Sequence, residues 1–205
     1  SLKAINPRLV YCSITGFGQT GPYAPRAGYD FIIQGMSGLM SITGAPGGEP
    51  QKVGVAVSDI FTGLYSVIAI QAALRHAEAT GQGQHIDMAL LDSQVAVLAN
   101  QNMNYLISGN SPVQMGNAHM NIAPYATLAG WEKAELLGKF DANAVPASPI
   151  NTIEEMFDDP QVKARGMQLS LDDGHGTALP SVRAPIALSQ TPLSYERPSP
   201  RLGRS

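Results

Sequence analysis

The chain has 205 residues, of which 44% are apolar and 14% are charged, with a net charge of −3. The length predicts one domain, or one domain plus an appendage, and this apolar fraction is enough to build a buried core. The basic residues form no run, so the electrostatic footprint of a nucleic-acid-binding protein is missing. The single cysteine, Cys12, excludes an internal disulfide framework and is typical of a reducing compartment.

The first half of the chain alternates short apolar runs with longer helical patterns. The predicted elements are a strand over residues 8–14, a helix over 29–39, a strand over 53–57, a helix over 60–79, a strand over 85–90 and a helix over 92–107. Such alternation indicates an α/β layer with a parallel sheet. The longest apolar stretch, residues 60–74, is interrupted by polar residues and is too short to predict a membrane span.

The second half carries shorter signals. Residues 108–124 are rich in Asn, Gly and Pro and predict a linker, and residues 131–140 predict a short amphipathic helix. Thr152 and Glu155 have the spacing of a capping box, and Asp159 before a proline predicts another helix start. Two runs around residues 172–176 predict a hairpin, and the tail from residue 192 predicts an extended segment.

A glycine-rich loop follows the first predicted strand. Gly16, Gly18 and Gly21 have the spacing of the dinucleotide-binding fingerprint, which requires a helix directly after the loop. Pro22 and Pro25 follow instead, so a bent surface loop is the simpler interpretation. Such a loop still permits a ligand to approach the backbone closely.

Asp59 lies at the predicted junction between the strand over residues 53–57 and the long helix. The free N–H groups and the dipole at a helix start favour a negative charge, which suits a nucleophilic carboxylate. A plain helix N-cap, for which Ser58 would serve equally well, is the simpler interpretation from spacing. Asp92 has the same geometry at the next helix, so spacing does not choose between the two aspartates.

Several motifs occur in order along nearly the whole chain. They cover residues 6–22, 27–30, 34–39, 53–59, 62–63, 80–83, 90–92, 149–151, 159–162 and 165–166. Together they resemble the family III CoA-transferases, the carnitine/bile-acid-inducible type. The finer similarity is to the succinyl-CoA-dependent dicarboxylate branch, such as succinate–hydroxymethylglutarate CoA-transferase. The resemblance implies an α/β fold, namely a partial nucleotide-binding-like parallel sheet with flanking helices from the large domain of these enzymes.

The resemblance also implies a site and a reaction. The family's nucleophile is an aspartate at a strand-to-helix junction, and the matching position here is Asp59. The residues implied to lie along coenzyme A or to line its thiol end are Thr15, Gly16, Phe17, Gly18 and Leu90. The implied reaction moves coenzyme A from an acyl-CoA donor to a small carboxylate, a dicarboxylate in this branch, through a mixed anhydride and an aspartyl-CoA thioester.

The same resemblance implies the partners of the protein. Coenzyme A enters as a thioester substrate, so no resident cofactor is expected. The four histidines are scattered and predict no metal site. We expect a cytoplasmic homodimer of acyl-CoA metabolism that binds neither nucleic acid nor membrane.

Two departures from the family pattern predict a truncated, internally shortened fragment. The family's first strands would precede Ser1, and its small domain has no counterpart between Tyr125 and Trp131. The predicted organisation is part of the large CoA-binding domain with the nucleophile over residues 1–126, a remnant of the small-domain connection over 127–148, and a C-terminal segment returning to the large domain over 149–205.

Two alternative functions remain open at this point. The first is an inactive remnant that folds partly, or only in association with a partner subunit. The second is an α-methylacyl-CoA racemase, which uses the His of a Gly-His-Asp motif. This chain has Tyr29 at that position, so the acid/base group of the racemase reaction is missing.

Overall fold

The structure is a computed structural model that describes residues 2–119, 121, 132–143, 145 and 148–196. The chain divides into two compact units, Ser1–Leu128 and Ala129–Ser205. The elements of the first unit are α1 (Leu2–Ile5), β1 (Tyr11–Thr15), α2 (Asp30–Met36), α3 (Leu39–Ile42), α4 (Val57–Thr80), β2 (His85–Ala89), α5 (Leu90–Val97) and α6 (Asn100–Ser108). Those of the second are α7 (Lys133–Ala142), α8 (Ile153–Asp158), α9 (Pro160–Ala164), β3 (Gln168–Asp172) and β4 (Ala178–Val182).

In the first unit, β1 and β2 form a parallel pair in which Tyr11 lies opposite His85 and Thr15 opposite Ala89. Parallel strands require a crossover connection, and α2, α3 and α4 supply it. Helix α4 packs against both strands and against α5. The predicted parallel sheet with flanking helices is therefore confirmed.

A glycine turn connects α4 to β2 and sets the direction of the helix. Gly81 ends α4 in the left-handed conformation, at φ 73°, and its N–H donates to the carbonyl of Ala77. Gly83 then donates to the carbonyl of Pro7 at 2.7 Å, just before β1. The carboxyl end of α4 thus lies at the amino ends of the strands. Its first turn lies toward their carboxyl ends, where open α/β sheets bind ligands.

The predicted strand over residues 53–57 is wrong. The N–H of Val53 donates to Oε1 of Gln34 at 2.9 Å, and the carbonyl of Val55 accepts from Nε2 of the same amide at 3.3 Å. A side chain thus takes the place of a neighbouring strand. The apolar run suggested a strand because periodicity does not show which group satisfies the backbone.

Two predicted helices are each broken once. The helix over residues 29–39 stops at Met36, and Gly38, at φ 90°, separates it from α3. The helix over residues 92–107 is divided into α5 and α6 at Ala99, which has φ 49°. Apolar spacing continues through both breaks, so the pattern alone does not reveal them.

Helix α4 is longer than its apolar stretch suggested. It has 24 residues, and an 18-residue stretch of it has a mean hydropathy of 1.5, with 22% of that stretch buried. By length and composition alone, the helix could cross a membrane. The expectation that this segment is too short to cross a membrane is therefore wrong, because the helix continues past residue 74. Core helices of soluble proteins pass the same test, and the absence of a membrane partner stays a prediction.

The second unit follows its local signals closely. Thr152 and Glu155 form a reciprocal capping box at the start of α8, and the Asp159 carboxylate caps α9 through the N–H groups of Gln161 and Val162. Strands β3 and β4 pair antiparallel, as predicted, with Asp172 opposite Ala178. The predicted boundaries of the three sequence regions stay a prediction.

Candidate active site

The glycine loop is closed by a side-chain hydrogen bond. Oγ1 of Thr15, the last residue of β1, accepts from the N–H of Gly18 at 2.9 Å. Gly18 has φ 84°, a backbone conformation that residues with a side chain rarely adopt. The next N–H, that of Gln19, donates to Oδ2 of Asp87 on β2 at 2.9 Å. The loop is therefore tied to both strands.

Gly16 allows two backbone segments to touch. A Cβ at Gly16 would lie 2.5 Å from the Cα of Gly28, and both glycines are free of side chains for that reason. The carbonyl of Gly16 accepts from the N–H of Leu91 at 3.1 Å. The loop that follows β1 is thereby joined to the first turn of α5.

Phe17 belongs to a small aromatic group. Its ring meets that of Tyr23 edge to face at 5.6 Å, and the Arg26 guanidinium lies 4.2 Å from the centroid of the Tyr23 ring. This group holds the outer part of the loop in place and puts a cation beside it.

Asp59 is the third residue of α4 and is exposed. The N-cap position is occupied by Ala56, which makes no side-chain cap bond, so the interpretation of Asp59 or Ser58 as the cap is wrong. Oδ1 of Asp30 accepts from the N–H of Ser58 at 2.8 Å instead. A carboxylate from another helix thus satisfies this turn, and the Asp59 carboxylate has no hydrogen-bond partner among the described residues.

A buried polar network supports the turn that carries Asp59. Ser58 Oγ donates to Gln94 Oε1 at 2.7 Å, and both residues are at most 1% exposed. Oδ2 of Asp30 accepts from Nε2 of Gln34 at 2.7 Å, and Gln34 in turn holds residues 53 and 55. The start of α4 is thereby joined to α2 and α5.

The structure brings the predicted residues to the same edge of the sheet. Gly16 and Gly18 follow β1, Leu90 follows β2, and the turn bearing Asp59 contacts α5 through Gln94. Leu90 is only 8% exposed, so most of its side chain packs in the core. Asp92 is likewise the third residue of its helix and exposed, so geometry by itself leaves both aspartates available.

Sequence reasoning assigned no role to the side chains that hold this site together. Asp30, Gln34, Asp87 and Gln94 all make bonds between elements. Asp30 and Gln34 lie in motifs that carry the family resemblance, which was the available signal. Their partners are far away in sequence, so spacing does not identify them.

Comparison with known proteins identifies the family. The model of CoA-transferase family III matches residues 1–130 and 126–205, and the chain belongs to this family. It is 53% identical over 259 residues to a succinate–glutarate CoA-transferase of Agrobacterium fabrum, covering 99% of this chain and 65% of that protein. It is 34% identical over 261 residues to the succinyl-CoA:glutarate CoA-transferase of Homo sapiens, covering 99% and 59%.

A solved structure shares the fold. The crystal structure of a CAIB/BAIF family protein from Brucella suis is 48% identical, with a TM-score of 0.86, and the match covers 98% of this chain and 67% of that one. The predicted fold class is confirmed by this likeness together with the parallel sheet described above.

The chain spans 65% and 59% of the lengths of the Agrobacterium and human relatives. Their alignments of 259 and 261 residues exceed the 205 residues of this chain, so the relatives have residues inside the matched region without a counterpart here. The two family matches meet at residues 126–130, where the sequence predicts the internal shortening.

Proposed function

We propose that this chain is part of an enzyme that transfers coenzyme A between small carboxylic acids, with dicarboxylates as the substrate class. In this proposal the chain carries the nucleophile, and its glycine loop binds coenzyme A. The observation that carries the proposal is the convergence of the glycine loop, the start of α5 and the first turn of α4 at one edge of the sheet. The names of the Agrobacterium and human relatives, which act on succinate or succinyl-CoA and on glutarate, support the substrate class.

The proposed reaction proceeds through Asp59. Its carboxylate attacks the thioester carbonyl of the donor, the C–S bond breaks, and a mixed anhydride and a coenzyme A thiolate form. The thiolate attacks the carbonyl carbon of Asp59 and releases the donor acid, leaving an aspartyl-CoA thioester. The acceptor carboxylate then attacks this thioester, its C–S bond breaks, and a second mixed anhydride and the coenzyme A thiolate form. The thiolate attacks the acceptor carbonyl carbon of this anhydride, which gives the acceptor thioester and frees the Asp59 carboxylate.

The position of Asp59 suits a nucleophile. Its side chain is exposed, while the residue before it, Ser58, is fully buried and bonded on either side. The carboxylate therefore projects from a fixed base. The helix dipole favours its negative charge within this first turn.

One backbone group suits the oxyanion. Of the first N–H groups of α4, that of Val57 donates to Val55, that of Ser58 to Asp30 and that of Ile60 to Ala56. Among the described residues, the N–H of Asp59 alone in this turn has no acceptor. We assign it as a donor to the oxygen that becomes negative in the tetrahedral intermediates.

The test is chemical trapping of the intermediate. The full chain is incubated with succinyl-CoA, treated with hydroxylamine or borohydride, and the peptide that carries Asp59 is analysed by mass spectrometry. We expect the modification at Asp59, and its loss in Asp59→Asn, which keeps the shape of the side chain but removes the attacking charge.

Asp92→Asn is the matched control, because Asp92 occupies the same position in its own helix. We expect this variant to be labelled like the parent chain. Labelling that survives Asp59→Asn and disappears in Asp92→Asn would assign the nucleophile to Asp92. A racemase is the weaker candidate, because Tyr29 stands where its histidine is required.

A further inference from the structure

We propose that Gln94 is a positioning residue. Through its hydrogen bond to Ser58, it holds the Asp59 carboxylate at a fixed position relative to the glycine loop. The inference rests on the proposed function, since it concerns the same nucleophile. Gln94 does not touch the reacting atoms in this proposal. It acts through the first turn of α4.

All the polar groups of Ser58 are occupied. Its N–H donates to Asp30 at 2.8 Å, its Oγ donates to Gln94 at 2.7 Å, and its carbonyl accepts from Oγ1 of Thr62 at 2.6 Å. Ser58 is 0% exposed and Gln94 is 1% exposed. Three bonds from separate directions leave the residue before Asp59 in one orientation.

Gln94, the partner of Ser58 in this hydrogen bond, belongs to a helix that is bonded to the glycine loop. Gln94 lies one turn after Leu90 in α5, and the N–H of Leu91 donates to the carbonyl of Gly16 at 3.1 Å. One connection from the loop to Asp59 therefore runs through α5: the Leu91–Gly16 hydrogen bond joins this helix to the loop, and the Gln94–Ser58 hydrogen bond joins it to the first turn of α4. A thioester lying along the loop would meet the carboxylate at a distance that this connection helps to set, and reaction rates depend steeply on such distances.

The chemistry of the pair also indicates positioning. An apolar pair of similar size would fill the same space without burying polar groups that must find partners. A hydrogen bond adds a preferred distance and direction, which apolar packing lacks. The pair thus specifies how α4 and α5 align at the ends that bear the site.

The experiment separates positioning from plain stability. In the double variant Ser58→Ala/Gln94→Leu both polar partners are removed, so neither is left buried without a bond. Ser66→Ala is the matched control, because Ser66 is also buried in α4 and its Oγ bonds within the helix, to the carbonyl of Thr62. Melting temperature, hydrogen–deuterium exchange and the rate of Asp59 labelling by succinyl-CoA are measured for each variant.

We expect the double variant to exchange amides 57, 58 and 60, whose N–H groups are hydrogen-bonded in the parent chain, about tenfold faster than the parent, with amides 70–80 unchanged, and to label Asp59 about tenfold more slowly. Ser66→Ala should match the parent in both respects. Should the double variant fail to fold, Ser58→Ala alone removes one hydroxyl and should show the same local pattern.

Parent-like exchange at amides 57, 58 and 60 would overturn the inference, because the Ser58–Gln94 hydrogen bond would then not hold the turn. Faster exchange with an unchanged labelling rate would overturn the positioning role. If the parent chain shows no labelling at Asp59, the proposed function fails. The exchange result then still decides whether Gln94 holds this turn.

Discussion

Three glycines of one loop are required for different physical reasons. A Cβ at Gly16 would meet backbone atoms of Gly28 at 2.5 Å, which no side-chain movement relieves. A Cβ at Gly18 would have ordinary contacts, the nearest at 3.5 Å from Asp87, but φ is 84°. Gly21 also has positive φ, at 90°, with open space around it. Gly21 therefore serves as a control for the conformational cost alone.

We predict different losses for the corresponding alanine variants. Gly21→Ala should lower the free energy of unfolding by about 1–2 kcal/mol and leave coenzyme A binding unchanged. Gly18→Ala should lose a similar amount and also bind coenzyme A more weakly, while Gly16→Ala should lose the most stability. Urea unfolding and calorimetric titration with coenzyme A measure the two quantities. Unchanged coenzyme A binding by Gly18→Ala would show that this part of the loop does not contact the ligand.

At the scale of elements, the junction between α5 and α6 is strained. Ala99 has φ 49° and ψ −115°, and it is exposed. Residues with a Cβ rarely adopt positive φ, and such conformations cost of order 1–3 kcal/mol. Only Leu98 and Ala99 lie between α5 and α6, so the break between the two helices is confined to this short junction.

Ala99→Gly should therefore raise the free energy of unfolding by about 1 kcal/mol, because glycine adopts this conformation without the steric cost. Ala96→Gly, at an exposed position inside α5, should lower it by about 1 kcal/mol. Chemical denaturation of both variants measures these opposite signs. A destabilising effect of Ala99→Gly would show that this backbone conformation carries no strain.

At the scale of the whole molecule, α4 exposes an apolar stripe. Ile60, Leu64, Val67 and Ile68 are between 51% and 64% exposed and recur at helical spacing along one face. Contiguous exposed apolar surface promotes association. We expect this chain to form concentration-dependent oligomers.

Sedimentation velocity over a range of concentrations measures this association. We expect the average mass to rise with concentration, and the double substitution Val67→Lys/Ile68→Glu to shift the rise to higher concentration. Ile150→Glu, which changes an even more exposed residue outside the stripe, should leave the concentration dependence unchanged. A parent chain that stays monomeric at all concentrations would contradict the prediction.

Local signals in the sequence were sufficient for much of the fold. The capping box at Thr152, the Asp159 cap and the hairpin of β3 and β4 depend on residues close together in the chain, so spacing identifies them. The positions of the long helix and of the two strands β1 and β2 follow from apolar periodicity, which also depends only on residues close together in the chain. The motif resemblance added the family and singled out Asp59 and the glycine loop.

The tertiary structure alone decided how the site is held. Gln34 replaces a predicted strand, Asp30 caps a helix that starts 27 residues later in the chain, and Gln94 reaches Ser58 across 36 positions. Each bond joins residues whose separation has no periodic signature. Buried polar groups must find partners, but only the folded chain determines which partner is within reach.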